Sequence, residues 1–246
     1  MAPSSQKKIV FITGSSGGLG QALCRTFSNG EYHVGVHVHR NISAGLKTVS
    51  RLNALGVESA SFHADLRDSK AVRKAFEELL KRWGRIDLLI NNAGIFRDNL
   101  FTRIRQVEWE EVIDTNLKGA FFCMREAGNA MQKQKGGHII NISSFASLTG
   151  RVGQASYTAS KRGLIALTQS AAKEWGADSI QVNTVIPGFL STSMTKDLTP
   201  VQAKRIIEEN VLRRPSTLEE VSTFILHLSK MKHVSGQIFN LDSRIG

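Results

Sequence analysis

The chain has only two cysteines, Cys24 and Cys123, in 246 residues. Both fall in helical patterns on inner faces, so a disulfide scaffold is excluded and reduced, buried thiols without a redox role are expected. No apolar run reaches the ~18 residues of a membrane span, and the opening MAPSSQKK has no apolar segment of signal-peptide type. A cytoplasmic protein is expected, with no membrane partner. Acidic residues are scarce too: 21 Asp and Glu against 32 Lys and Arg give a formal net charge of +11. Such an excess favours polyanionic partners. The cations are scattered, however, and not interleaved with aromatics as in a nucleic-acid groove. No nucleic acid is expected, and a phosphate-bearing cofactor or substrate accounts for the bias. His37 and His39 alternate on one strand face without a third ligand at a useful spacing, so no metal is expected.

What is present fits one large α/β domain over residues 1–246, long enough to bury its own core. A β-branched run over 8–13 leads into Gly14-Ser15-Ser16-Gly17-Gly18-Leu19-Gly20, and a helical pattern follows over 21–28. Glycines at 14, 18 and 20 let the backbone turn tightly, approach a pyrophosphate and pack helix on strand. The helix N-terminus offers unpaired N–H groups to the anion.

The next strand, 33–38, ends at His39-Arg40-Asn41, where an acid would bond an unphosphorylated adenine ribose. None stands there. Arg40, helped by His39, would instead neutralise a 2′-phosphate, which favours NADP(H) over NAD(H); the alternative is a solvated loop cation. A helix over 43–55 and a third strand over 57–63 lead to Ala64-Asp65-Leu66. Asp65 either bonds an adenine amine or caps the helical pattern 71–83. A fourth strand, 86–90, runs into Asn91-Asn92-Ala93-Gly94, small enough for close dinucleotide contact and with amides to tie strands together.

In the second half, Tyr157 and Lys161 lie four apart in a helical pattern, so both side chains leave one face. An ammonium close to a phenol favours the phenolate and would let the tyrosine give its proton to a developing alkoxide. Ser144 follows the apolar strand 138–142, at the kind of strand edge where open α/β sheets bind ligands.

In this order and spacing, TGSSGGLG at 13–20, Asp65, NNAG at 91–94, Asn116 in DTNLKG, Ser144, YTASK at 157–161 and PGFLST at 187–192 resemble the short-chain dehydrogenase/reductase family over essentially the whole chain. INNAGIFRDNLF, EWEEVIDTNLKGAFF and IPGFLSTSMT are most similar to its 3-oxoacyl-(acyl-carrier-protein) reductases and acetoacetyl-CoA reductases. The resemblance implies a single-domain Rossmann fold, with a doubly wound parallel sheet of seven strands and helices on both faces. It implies a catalytic set of Asn116, Ser144, Tyr157 and Lys161. Ser144 would hold the substrate oxygen and Tyr157 would be the general acid. Lys161 would bind the nicotinamide ribose and depress the tyrosine pKa, and Asn116 would kink its helix and hold a relay water. The implied NADP(H) contacts are Gly14, Ser16, Gly18, Leu19, Gly20, His39, Arg40, Asp65, Leu66, Asn92, Ala93, Gly94, Tyr157, Lys161, Pro187, Gly188 and Thr192.

A helical stretch over 108–132 and the Tyr157 helix would pack against sister subunits in a homotetramer, or serve the core of one subunit. Residues 191–215 are expected to form a helical lid over the substrate. Phe96, Phe145, Leu148, Val152, Phe189 and Met194 are pocket walls or core. An acyl carrier protein or CoA thioester would dock on Lys133, Lys135, Arg103, Arg105 and Arg151. Two departures from the family pattern stand out: Ala177-Asp178-Ser179 where a carrier-binding cation is common, and Asp242-Ser243-Arg244 where a glycine pair is usual. The expected activity is NADPH-dependent reduction of a 3-ketoacyl thioester to the 3-hydroxy form, with acyl carrier protein as the first-choice carrier and CoA second. The alternatives are reduction of free ketones, sugars, quinones or polycyclic alcohols, and a non-catalytic NADP(H) sensor.

Overall fold

Strands covered on both faces are near-continuous apolar runs, and the buried strands Lys8–Ile12 and Leu88–Asn91 are of that kind. In chain order the strands are β1 (Lys8–Ile12), β2 (Tyr32–Val38), β3 (Ser59–His63), β4 (Leu88–Asn91), β5 (Gly137–Ile142), β6 (Ile180–Ile186) and β7 (Ile238–Asn240). The structure is a computed structural model that describes residues 7–192, 195 and 199–245. All seven strands are parallel, in the order β3-β2-β1-β4-β5-β6-β7. Strand order reverses between β1 and β4, the switch point at which such sheets take ligands. This is the expected doubly wound Rossmann architecture.

The helices between strands are α1 (Gly18–Thr26), α2 (Ile42–Ala54), α3 (Ser69–Trp83), α4 (Gln106–Ile113), α5 (Gly119–Gln134), α6 (Ala146–Thr149), α7 (Ala155–Trp175), α8 (Pro200–Glu209) and α9 (Leu218–Leu228). Alternation along β1 sends Val10 and Ile12 to one face, into a core with Leu23 of α1 and Ile225 of α9. Ile9 and Phe11 point to the other face, with Phe76 of α3 and Met131 of α5. Cys24 and Cys123 are buried and unpaired, and burial pushes both thiols up to about 12.

Three expected boundaries shift for identifiable reasons. The third strand starts two residues late because the Val57 N–H turns back to the Leu52 carbonyl at 3.0 Å, closing α2. The fourth starts at Leu88 because the Gln134 amide clips both backbone groups of Ile86, at 3.0 and 2.9 Å, and removes them from the ladder. The helical stretch expected over 108–132, with a kink at Asn116, is divided into α4 and α5 by a wide turn, Asp114–Lys118, in which the Gly119 N–H reaches five residues back to Asp114. Turns of this π type concentrate at functional sites.

Candidate active site

The glycine loop lies at the C-terminal end of β1. Gly14 takes φ +64°, and a Cβ there would lie 2.8 Å from Ala93 Cα, so loop and NNAG segment touch. A Cβ on Gly18 would lie 2.9 Å from Thr192 Cγ2, which brings the PGFLST segment to the same place. Gly17, the residue before α1, makes no side-chain cap, so the first N–H groups of α1 have no such partner. Backbone packed this closely, ending in a helix N-terminus, suits a pyrophosphate. Thr13 organises the floor: its hydroxyl accepts the N–H groups of Asn92 and Ala93, each at 3.0 Å, and Asn92 donates back to the carbonyls of Thr13 and Gly14 at 3.0 and 3.2 Å.

His37 sits beneath this loop. Its Nδ1 accepts the Gly14 N–H at 3.1 Å, and its Nε2 is 3.1 Å from the Ala64 carbonyl, so the ring is neutral with the proton on Nε2. Burial pushes its pKa down to about 4. Of the remaining cofactor candidates, Leu19 and Leu66 are buried, Leu66 against Gly119. The Ser16 carbonyl accepts from Gln21, and a Cβ on Gly20 would collide with the Gly14 carbonyl oxygen. Pro187 is buried and Gly188 takes φ +77°.

At the adenine end, Asp65 does not cap α3; Asp68 does, accepting from the Lys70 N–H at 2.8 Å. Asp65 binds the Arg67 guanidinium through both oxygens, accepts the Arg67 N–H and lies 3.6 Å from His39 Nε2. The Arg67 side chain is the main reason its carboxyl is held down to about 2. Arg40 is 72% exposed and pairs at 3.6 Å with Glu111 of α4, which also holds Arg97.

Two strand ends, α7 and the wide turn gather the remaining residues. Ser144, just beyond β5, accepts the Ala146 N–H at 3.3 Å, and its hydroxyl is close enough to Tyr157 to pull the phenol pKa down. Lys161 is buried, and its Nζ donates to the Ile142 carbonyl at 2.8 Å and lies 5.8 Å from the centre of the Tyr157 ring. Asn116, buried in the wide turn, accepts the Ile95 N–H and donates to the Ile95 carbonyl, both at 2.8 Å, and donates to Ser160 at 3.1 Å. A Cβ on Gly94 would meet Lys161 Nζ at 3.3 Å and Asn116 Oδ1 at 3.5 Å, so the four sequence candidates and the NNAG segment converge.

One electrostatic expectation is corrected. Tyr157 has its pKa raised, first by burial; Ser144 and Arg151 pull it down and Asp98 pushes it up. The Lys161 ammonium, which donates to the Ile142 carbonyl, is itself pushed down to about 8 by burial.

Several positioning residues escape a motif reading. Ser143 donates to the Lys161 carbonyl at 2.9 Å, and Ser160 donates to the Tyr157 carbonyl at 2.7 Å. Asn91 donates to Asn141 (2.8 Å), Asn141 to Thr168 (2.9 Å), and Thr168 meets Thr184 at 2.7 Å, a buried polar chain fixing α7 on the sheet. Position within TGSS, SS and YTASK is the only sequence signal for Thr13, Ser143 and Ser160. Of the expected pocket walls, Phe96 stands edge-on to Tyr157 at 6.4 Å, Phe145 lies under Arg244, Leu148 and Val152 are exposed, and Phe189 is half-buried. Met194 lies outside the described residues, as does part of the expected lid; α8 supplies its helix.

The sequence model of the short chain dehydrogenase family matches residues 8–203. The chain belongs to that family. It is therefore an oxidoreductase acting on CH–OH and C=O groups with a nicotinamide cofactor, and the cradle around Gly14 and Gly18 fits such a dinucleotide. This short chain dehydrogenase is 35% identical over 237 residues to the 3-oxoacyl-(acyl-carrier-protein) reductase FabG of Staphylococcus aureus, covering 96% of both chains. It is 36% identical over 238 residues to the 3-oxoacyl-(acyl-carrier-protein) reductase of a Synechocystis species, covering 96% of this chain and 95% of that one. A crystal structure from Sinorhizobium meliloti 1021, described as a short-chain alcohol dehydrogenase, superposes with a TM-score of 0.91 at 29% identity, over 96% of this chain and 95% of that one. Among the described residues no helix is long and apolar enough to cross a membrane, and no group of side chains could hold a metal ion.

Proposed function

We propose that this dehydrogenase uses NADPH to reduce a 3-ketoacyl thioester, carried by CoA or an acyl carrier protein, to the 3-hydroxyacyl thioester. The observation that carries the proposal is the convergence of Ser144, Tyr157 and Lys161 beside the glycine cradle, in a chain 35% identical to a 3-oxoacyl-(acyl-carrier-protein) reductase along 96% of its length. The whole chain, 1–246, acts as one NADP-binding domain.

When bound, the nicotinamide supplies the hydride. The residues do the rest. Ser144 and Tyr157 direct their hydroxyls at the carbonyl oxygen, where negative charge grows, and Tyr157 gives up its proton there. A phenol ordinarily titrates near 10 and so carries its proton at neutral pH, as an acid in reduction requires. Lys161 holds the nicotinamide ribose and returns a proton to the tyrosine. Asn116 fixes the Ile95 backbone and holds the relay water. Pro187, Gly188 and Thr192 hold the carboxamide end.

The preference for NADPH rests on Arg40 and His39 just beyond β2, with Arg67, held by Asp65, beyond β3, and no carboxylate at 39–41. Of the docking charges, Lys135 is bound to Asp178 at 2.6 Å and Arg105 to Glu108 at 2.8 Å, while Lys133, Arg103 and Arg151 have no ion pair among the described residues. Those exposed pairs are weak, so all five cations stay open to the acids of a carrier protein or the phosphates of CoA. A homotetramer would form through the outer faces of α5 and α7, where Phe121 is exposed.

NADPH consumption with acetoacetyl-CoA, acetoacetyl-carrier protein and a panel of free ketones tests the proposal. Turnover confined to thioesters is expected. Equal rates on free ketones would remove the thioester, and tight NADPH binding without turnover would leave a sensor.

A further inference from the structure

The segment Asp242-Ser243-Arg244 has no part in the cofactor or proton roles above, yet it lies against the serine loop. Arg244 donates Nε to Asp242 Oδ1 at 2.9 Å and Nη2 to Asp242 Oδ2 at 2.6 Å, and its own N–H reaches Oδ1 at 2.9 Å. The Asp242 side chain is wholly enclosed and that of Arg244 nearly so. A planar guanidinium gripped by both carboxylate oxygens has one orientation. Here its face rests on the Phe145 ring, with Cζ 4.2 Å from the ring centre, a cation–π contact strengthened by exclusion of water.

Phe145 is joined directly to Ser144 and starts α6. Its carbonyl accepts the Leu148 N–H, while that of Ser144 accepts the Ser147 N–H, both at 2.9 Å. Fixing the Phe145 ring therefore fixes the backbone that carries the Ser144 hydroxyl. The same segment also holds the end of α8: Ser243 Oγ donates to Asn210 Oδ1 at 2.8 Å, and the Val211 N–H reaches the Ser243 carbonyl at 3.2 Å. Asp242 Cα lies 3.3 Å from where a Cβ on Gly188 would stand.

We propose that Arg244 is a positioning residue for this enzyme: clamped by Asp242 and stacked on Phe145, it sets the place of Ser144 and ties the serine loop to α8. The catalytic half of this statement rests on Ser144 acting at the substrate carbonyl, as proposed above; the mechanical half does not.

The test uses the full chain with NADPH. In Arg244→Ala, amide hydrogen exchange at Ser147 and Leu148 should quicken at least tenfold while β4 and α7 exchange as before. Turnover of acetoacetyl-CoA should fall about tenfold or more in kcat, with NADPH affinity within twofold. Arg244→Lys should rescue neither, since an ammonium has no flat face to stack; a role of charge alone would be rescued, and that result overturns the proposal. Phe145→Leu should lose as much turnover as Arg244→Ala, and the double variant no more than either. Unchanged exchange in Arg244→Ala, or losses that multiply in the double variant, would also overturn it. Should Arg244→Ala fail to fold, the comparison of Arg244→Lys with Phe145→Leu makes the same decision. Faster exchange together with wild-type turnover in Ser144→Ala would leave the clamp standing and sink the proposed function instead.

Discussion

Lys161 Nζ is held by the Ile142 carbonyl oxygen at 2.8 Å, at the same strand end as Ser144, and among the described residues no carboxylate pairs with it. Burial alone pushes its pKa down to about 8, so the ammonium loses its charge just above neutrality. The folded value lies below that of a free lysine, so the charged form is fully present only below about 8. Reduction at saturating NADPH should therefore decline as pH rises through about 8, and Lys161→Arg should abolish that limb, whatever its overall rate, because a guanidinium stays charged. A wild-type profile flat to pH 10 would show that this titration does not govern turnover.

Tyr157→Phe removes the proton donor while keeping the ring that stands edge-on to Phe96. The expected loss in kcat is about 10²- to 10⁴-fold, the usual contribution of a positioned acid. NADPH affinity should stay within a few-fold, read by fluorescence titration. A variant retaining a tenth of wild-type turnover would mean that another group supplies the proton.

The buried chain from Asn91 through Asn141 and Thr168 to Thr184 holds the sheet to α7, the helix that carries Tyr157 and Lys161. Asn141→Leu leaves the Asn91 amide without its acceptor in an enclosed site, which costs about 1–3 kcal/mol, while Thr168 keeps Leu164 and Thr184. Chemical denaturation should show a loss in that range. No change in the midpoint would mean the leucine is accommodated by repacking.

How far the sequence discloses this arrangement depends on how far apart its partners are. The strands, the glycine loop, and the pairing of Tyr157 with Lys161 on one face follow from patterns within a few residues, and all are found. The start of β4 does not, because Gln134 reaches Ile86 from 48 residues away. Thr13 serving Asn92 and Ala93, and His37 serving Gly14, are contacts between elements that only the folded sheet brings together. Asp65 misleads for a different reason. Its neighbour Arg67 claims both oxygens, a choice the spacing leaves open until Asp68 is seen to cap α3. The sign of the Tyr157 shift is also beyond a spacing rule, since burial decides it.

Arg40 and Glu111 are 3.6 Å apart at the surface, a pair worth at most about 1 kcal/mol. That restraint is weak enough for Arg40 to leave it for a 2′-phosphate. Arg40→Asp should reverse the preference between NADPH and NADH, and Glu111→Gln should tighten NADPH by no more than about fivefold. Ratios of kcat/KM for the two cofactors check both. An unchanged ratio in Arg40→Asp would transfer the phosphate role to His39 and Arg67.

His37 must be neutral to accept the Gly14 N–H on one nitrogen and donate to Ala64 from the other. Its pKa falls to about 4 in the folded protein against about 6.5 in an unfolded chain, so the unfolded state takes up the proton first as pH drops. Stability from this residue is thus complete above about 6.5 and declines between 6.5 and 4, by about 3 kcal/mol in all. His138, also buried and pushed down to about 4, adds a similar slope. His37→Phe should cost about 1–3 kcal/mol at pH 7 by stranding the Gly14 N–H and the Ala64 carbonyl, yet lose less further stability on acidification. Urea midpoints measured from pH 7 to pH 4.5 decide the matter. A variant whose midpoint falls as steeply as that of the wild type would show that His37 is not the group being protonated, and would place the acid sensitivity of the glycine loop elsewhere.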